Sequence, residues 1–251
     1  MTDEPTIVLE RRGDVAVITL NRPRVLNALT VPMLRDLTAA IRSHGVEDSA
    51  GAVVLTGSGR AFSSGDDLDA TDGLGRVGFE EMIDAFQAVT EAISESVVPV
   101  VAALNGIAVG GAAEIACACD LRVGGPASDF LFPENRLGLT ISNGSTLTLP
   151  ALVGPRALAL VLLGERIPAT RAHELGLIDL MATGDVLDRA VEVAADIGAP
   201  ERATRFHLQM LRPPQDELKA ALRREREAAL AAFEAGAPQA GVKAFLDHRR
   251  S

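Results

Sequence analysis

Glu114 lies in the run Gly-Gly-Ala-Ala-Glu-Ile-Ala-Cys-Ala-Cys (110–119), where its neighbours are all small or apolar. A carboxylate placed there loses its hydration unless it turns toward a cleft, and burying it ionised without a partner is costly. A buried ion pair would resolve this. No Lys or Arg occurs between Val97 and Leu121, however, so a cation must come from elsewhere in the chain. A second carboxylate, Glu134, follows Pro133 twenty residues later, with Arg136 near enough in sequence for a surface salt bridge. Two carboxyl groups tuned by different surroundings can divide general-base and general-acid work between them. Gly110-Gly111 opens a helical stretch, so its N–H groups are among the unpaired donors of a helix N-terminus and can receive an oxyanion. Packing alone would also account for such a glycine pair.

Three polar or Gly-rich stretches interrupt apolar segments and form the candidate site: AFSSGDDL (61–68), NGIAVGGAAE (105–114) and FPENRLGL (132–139). The elements that must position them are legible around them. β-rich runs at Thr6–Glu10 and Val15–Leu20 flank a hairpin signal, Arg11-Arg12-Gly13-Asp14. Thr30 can cap a helix carrying Leu34, Leu37 and Ile41 on one face as far as His44-Gly45. Gly51–Thr56 and Pro99–Ala103 read as strands, with a Gly/Ser loop over 57–65 and a helix marked by Phe79, Met82, Ile83, Phe86, Val89 and Ile93 between them. A helix over Ala112–Cys119 and a strand at Leu121–Val123 continue the alternation. Repeated βα units predict an α/β fold with a mainly parallel sheet, whose ligands bind beyond the carboxyl ends of the strands. From Ser145 onward the pattern reads as an α-helical appendage, and the mixed charges of Arg223-Arg224-Glu225-Arg226-Glu227 read as a solvated helix face without chemistry.

Composition bounds the function. The 251 residues are 47% hydrophobic, enough for one enzyme-sized core. A formal charge of −10 argues against nucleic acid as a partner. The start MTDEPTIVLE lacks the basic and apolar regions of an export signal, and the longest uninterrupted apolar run, Val97–Leu104, is far short of the ~20 residues that span a bilayer. The expectation is a cytoplasmic protein with no membrane contact. Cys117 and Cys119 fit neither a redox pair nor a disulfide framework, and four scattered histidines offer no metal-ligand spacing. No metal and no separate cofactor are expected.

The segments NRPRVLNAL (21–29), AFSSGDDL, NGIAVGGAAEIACACDLRV (105–123), FPENRLGL, LVGPRALALVLLGERIPATRAHELGLID (152–179) and AFLDHRR (244–250) resemble, in order, motifs of the crotonase superfamily, the enoyl-CoA hydratase/isomerase family. The resemblance spans nearly the full length. It implies a crotonase-like (ββα)n spiral core over residues 1–195 and a helical C-terminal region over 196–251 that completes the site and forms a homotrimer or a dimer of trimers. It further implies an acyl-CoA thioester substrate, with coenzyme A entering as part of it. Glu114 would activate water for attack at the β-carbon, and Glu134 would deliver a proton to the α-carbon. The thioester oxygen would sit between the N–H groups of Ser64 and Gly111, each such donor being worth about 10²–10³ in rate. Arg24, Phe62, Gly65, Asp66, Asp67, Leu68, Gly110 and Ser142 fall where relatives meet substrate. Arg22, Lys243, Arg249 and Arg250 are further candidates for the CoA phosphates.

Three residues depart from the pattern. Ala112 replaces a common third glycine, Asp66 stands where relatives carry a small apolar residue, and Ser142 falls where a hydratase glycine lies near the water. Hydration of a 2-enoyl-CoA is the leading reading. Double-bond isomerisation and a catalytically silent CoA-binding module are the alternatives. With no Trp or Tyr in the chain, the acyl pocket is expected to be aliphatic, with Phe79, Met82 or Phe86 as its larger members.

Overall fold

The computed structural model describes residues 4–46, 49–71 and 73–250, the side chains of 248–250 excepted, so Arg249 and Arg250 lie outside the described side chains. The predicted hairpin forms: β1 (Ile7–Arg12) and β2 (Val15–Leu20) pair antiparallel. Helix α1 (Val31–His44) follows and buries Met33, Leu34, Leu37 and Ile41. Thr30 stands at its N-cap but makes no side-chain capping bond.

Three passes of one unit follow. β3 (Ala52–Gly57) pairs parallel with β2, then turns into a second short strand, β4 (Ala61–Ser63), where a loop was expected. Helices α2 (Leu68–Thr71) and α3 (Arg76–Glu95) return the chain to β5 (Val100–Leu104), which turns into β6 (Ile107–Val109) and enters α4 (Gly111–Ala118). The last pass is β7 (Leu121–Gly124), β8 (Phe130–Leu131), a 3-10 turn at Glu134–Leu137, and α5 (Ser145–Val153). Strand, strand, helix is thus the repeating unit of an α/β spiral core. The first strand of each pass joins one sheet and the second another. Helices α6 (Ala157–Leu163) and α7 (Ala169–Leu175) precede β9 (Leu180–Met181), and α8 (Val186–Ile197), α9 (Thr204–Leu211), α10 (Gln215–Glu234) and α11 (Ala237–Arg250) complete the chain.

The larger sheet has the order β1-β2-β3-β5-β7-β9 and the smaller β4-β6-β8. Alternation along the larger sheet's strands divides the core in two. Ala16, Ile18, Leu20, Val53 and Leu55 face one cluster with α1, α3 and α4, while Val15, Val17, Val54 and Val101 meet Ala190 and Ala194 of α8 on the other side. The segment after Ser145 is therefore not a pure helical appendage: β9 extends the sheet and α8 covers its second face.

One apolar run escaped the count of uninterrupted residues because Ser, Thr and Arg are scattered through it. Ser145–Leu163 is helical, 19 residues long and apolar enough by length and composition to cross a bilayer. Pro150 and the 3-10 turn at Gly154–Arg156 interrupt it, and Leu149, Val153 and Ala157 anchor it in the core.

Candidate active site

The small sheet, which no sequence pattern announced, is the platform of the site. Its parallel strands end side by side, and each hands the chain to one part: β4 to Ser64–Asp66, β6 to Gly110-Gly111 and Glu114 one turn on, β8 to Pro133-Glu134. The loops meet closely. Gly65 has φ +80°, and a Cβ there would come within 2.4 Å of Val109 O, so only glycine fits. Gly110, at φ +55°, lies against Glu134 Oε1, 3.5 Å from where its Cβ would be.

Glu114 is 2% exposed. Its partner is not a cation. Oε2 accepts the N–H groups of Ser142 (3.0 Å) and Asn143 (3.1 Å), in the segment leading into α5. Asn143 is fully buried and its amide also donates to Gly111 O, which ties that segment to the start of α4. From α3, Gln87 donates to Ser142 O and the Thr90 hydroxyl to Asn143 O. Desolvation, followed by the charges of Glu134 and Glu225, pushes the Glu114 carboxyl well above the usual carboxylate range.

Glu134 is 4% exposed and differs sharply, because neither carboxyl oxygen has a partner among the described residues. Arg136 donates instead to Leu163 O, so the surface salt bridge does not form. Burial pushes Glu134 up to about 8, with the charge of Asp66 adding to the shift against its own backbone N–H. Asp66 is partly exposed, but its Oδ1 is enclosed without a partner beside Gly111, and desolvation raises it to about 6. Glu114, Glu134, Asp66, Gly111 and Ser142 line one narrow cavity with Phe79, Met82 and Phe86. A larger cavity adjoins it across Asp66, walled by Leu68, Leu74, Phe79, Met82, Phe233 and Val242, with Lys243 at its edge.

Several expected residues have other tasks. Ser64 N–H donates to Leu26 O at 2.8 Å, so it is not a free donor; the pairing of β4's end with the 26–29 segment consumes it. Two residues on, Asp66 N–H meets no backbone carbonyl among the described residues, because the same pairing uses Gly65 O and Asp67 N–H. Gly111 N–H, at the first position of α4, likewise meets no backbone carbonyl among the described residues. Phe62 is fully buried and faces the core, not a ligand. Asp67 is bound by Arg22 at 2.8 Å and accepts from Ala70 N–H, which leaves neither Asp67 nor Arg22 free for substrate. Arg24 is exposed on a 3-10 turn. Ser142 contributes through its backbone, as described.

Glu225 corrects the reading of a solvated charge run. It is 2% exposed and lies on the buried stripe of α10 with Leu218, Leu222 and Ala229. That helical spacing was the available signal. Among the described residues no cluster of three His, Cys, Asp or Glu side chains could hold a metal ion.

A profile described as Enoyl-CoA hydratase/isomerase matches residues 10–251. The chain is 37% identical over 256 residues to a protein of Rhodobacter capsulatus described as "Probable enoyl-CoA hydratase", covering 97% of this chain and 96% of that one. It is 31% identical over 249 residues to the short-chain-enoyl-CoA hydratase of Clostridium acetobutylicum, covering 97% and 95%. It also superposes on the crystal structure of enoyl-CoA hydratase from Bacillus halodurans with a TM-score of 0.87 at 26% identity, over 96% of this chain and 100% of that one.

Proposed function

Because this chain belongs to the enoyl-CoA hydratase/isomerase family, we propose that it adds water to a 2-enoyl-CoA with Glu114 as base and Glu134 as acid. The carrying observation is the unequal treatment of two buried carboxyls in one cavity. Glu114 receives two N–H donors from the 142–143 segment, which favour its anion, while Glu134 receives none from any other described residue, which favours its neutral acid. The negative charge of Glu134 raises the proton affinity of Glu114, so the pair favours sharing a proton over losing both. Glu114 takes a proton from water as the oxygen attacks the β-carbon. Electron density moves to the thioester oxygen, and the N–H groups of Asp66 and Gly111 receive it. As the enolate collapses, Glu134 gives its proton to the α-carbon, and transfer back from Glu114 resets the pair.

The cavity beyond Asp66 suits an apolar acyl chain, since Phe79 and Met82 wall both spaces. Exposed Leu158, Leu162 and Leu163 on α6 are an apolar face that another copy of the chain would cover in a trimer. Crotonyl-CoA loses its conjugated absorbance on hydration, which gives a direct assay. Glu114→Gln and Glu134→Gln are each expected to lower kcat by about 10²–10⁴. Full activity in both variants would overturn the reading. Conversion of a 3-enoyl-CoA without uptake of solvent oxygen would assign isomerisation instead.

A further inference from the structure

The buried carboxylate of Glu225 touches neither cavity. Its Oε2 accepts Gly144 N–H at 2.6 Å, and its Oε1 accepts Thr146 N–H at 2.7 Å together with the Thr146 hydroxyl. These donors lie at the N-terminus of α5, where unpaired N–H groups and the helix dipole favour an anion. Two residues upstream, the same segment supplies the two N–H groups that hold Glu114. Gln87 adds a second tie, donating from α3 to Ser142 O and to Leu222 O of α10. Residues 142–146 are thus gripped by Glu114 on one side and by α10 on the other. An apolar side chain in place of Glu225 would leave buried donors without an acceptor and free the segment to shift.

We propose that Glu225 is a positioning residue for the reaction: from α10 it fixes the segment whose N–H groups orient Glu114. This rests on the reading of Glu114 as the base. Its own charge is part of the arrangement. The titratable groups around Glu114 are Glu134 from the 3-10 turn, Asp66 beyond it, Glu225 from α10 and the Cys117 thiol on its own helix; α3 and α5 present the uncharged Gln87, Thr90 and Ser145. The negative charge of Glu225 raises the proton affinity of Glu114, so removing it lowers that affinity.

The test is a double-mutant cycle on crotonyl-CoA hydration, with thermal unfolding recorded for each protein. Glu225→Gln is expected to lower kcat by about ten- to a hundredfold, as a small misplacement of a reacting group does. KM should change little, and the acidic limb of the kcat/KM profile should move to lower pH. In a Glu114→Gln background the same change should cost little more, because the two residues act through one path. If Glu225→Gln does not fold, Thr146→Val, which removes one donor to the same carboxylate, replaces it in the cycle. Wild-type kcat with an unmoved limb, or losses that multiply independently, would overturn the proposal. An inactive Glu114→Gln beside a fully active Glu225→Gln condemns only the positioning role, whereas an active Glu114→Gln condemns the reading beneath it.

Discussion

The two sheets share one chain and divide its work. The larger is built mostly of strands of four to six residues, and its core strands are covered on both faces by helices and by their own side chains. The smaller has strands of two or three residues, too short to stand alone, yet every candidate catalytic loop leaves from it. The spiral accounts for the difference. Each pass spends its long strand on the core and its short strand on setting the height of one loop against the next. The candidate catalytic loops therefore leave from short strands and are held in place by neighbours, among them α10.

The sharpest way to break this division is a matched pair of substitutions, one in each sheet. Gly65→Ala presses a Cβ against Val109 O and strains a positive φ, which separates the loops of β4 and β6. If Asp66 N–H is one donor of the proposed oxyanion pair, its displacement should lower kcat by about 10²–10³. Leu55→Ala removes a fully buried side chain of β3, and unfolding by urea should show a loss of about 2–5 kcal/mol. Its kcat per folded molecule should stay near wild type. Reversal of these outcomes, with β3 governing rate and β4 governing stability, would dissolve the comparison.

The same contrast explains what could be read in advance. β2, β3, α1 and α3 announce themselves because several turns of a helix, or six residues of a buried strand, repeat a period. Two residues such as Phe130-Leu131 repeat nothing, so β8 and its partners were legible only as loops. Glu114 and Glu134 were visible as carboxylates in unsuitable surroundings. Which backbone N–H groups are left open was not, since Ser64 N–H is taken only by a bond to Leu26, thirty-eight residues away. Glu225 was hidden by its charged neighbours, although Leu218, Leu222 and Ala229 share its face.

A second prediction concerns the cost of placing an unpartnered carboxyl at the end of β8. Glu134 binds its proton more tightly in the folded chain, up to about 8, than in the unfolded chain, where carboxylates titrate near 4.5. Its contribution to stability is therefore fully present below the unfolded value and is lost as pH rises through about 8. Glu134→Gln carries no such titration. Its melting temperature should fall less than that of the wild type between pH 5 and pH 9. Parallel curves would mean that Glu134 is solvated in solution, and the asymmetry between the two glutamates would lose its basis.

The smallest expected effect comes from Asp66, which the small sheet places between both cavities and beside Gly111. Its charge helps to hold the proton on Glu134. Asp66→Asn keeps the shape and the backbone N–H but removes that charge, so Glu134 should release its proton at lower pH. The alkaline limb of kcat/KM for crotonyl-CoA hydration, which reports loss of the acid in the free enzyme, should move downward by a fraction of a pH unit. The acidic limb should stay in place if it belongs to Glu114, because the charges that act on Glu114 are those of Glu134 and Glu225. Movement of the acidic limb alone would exchange the two roles and make Glu134 the base.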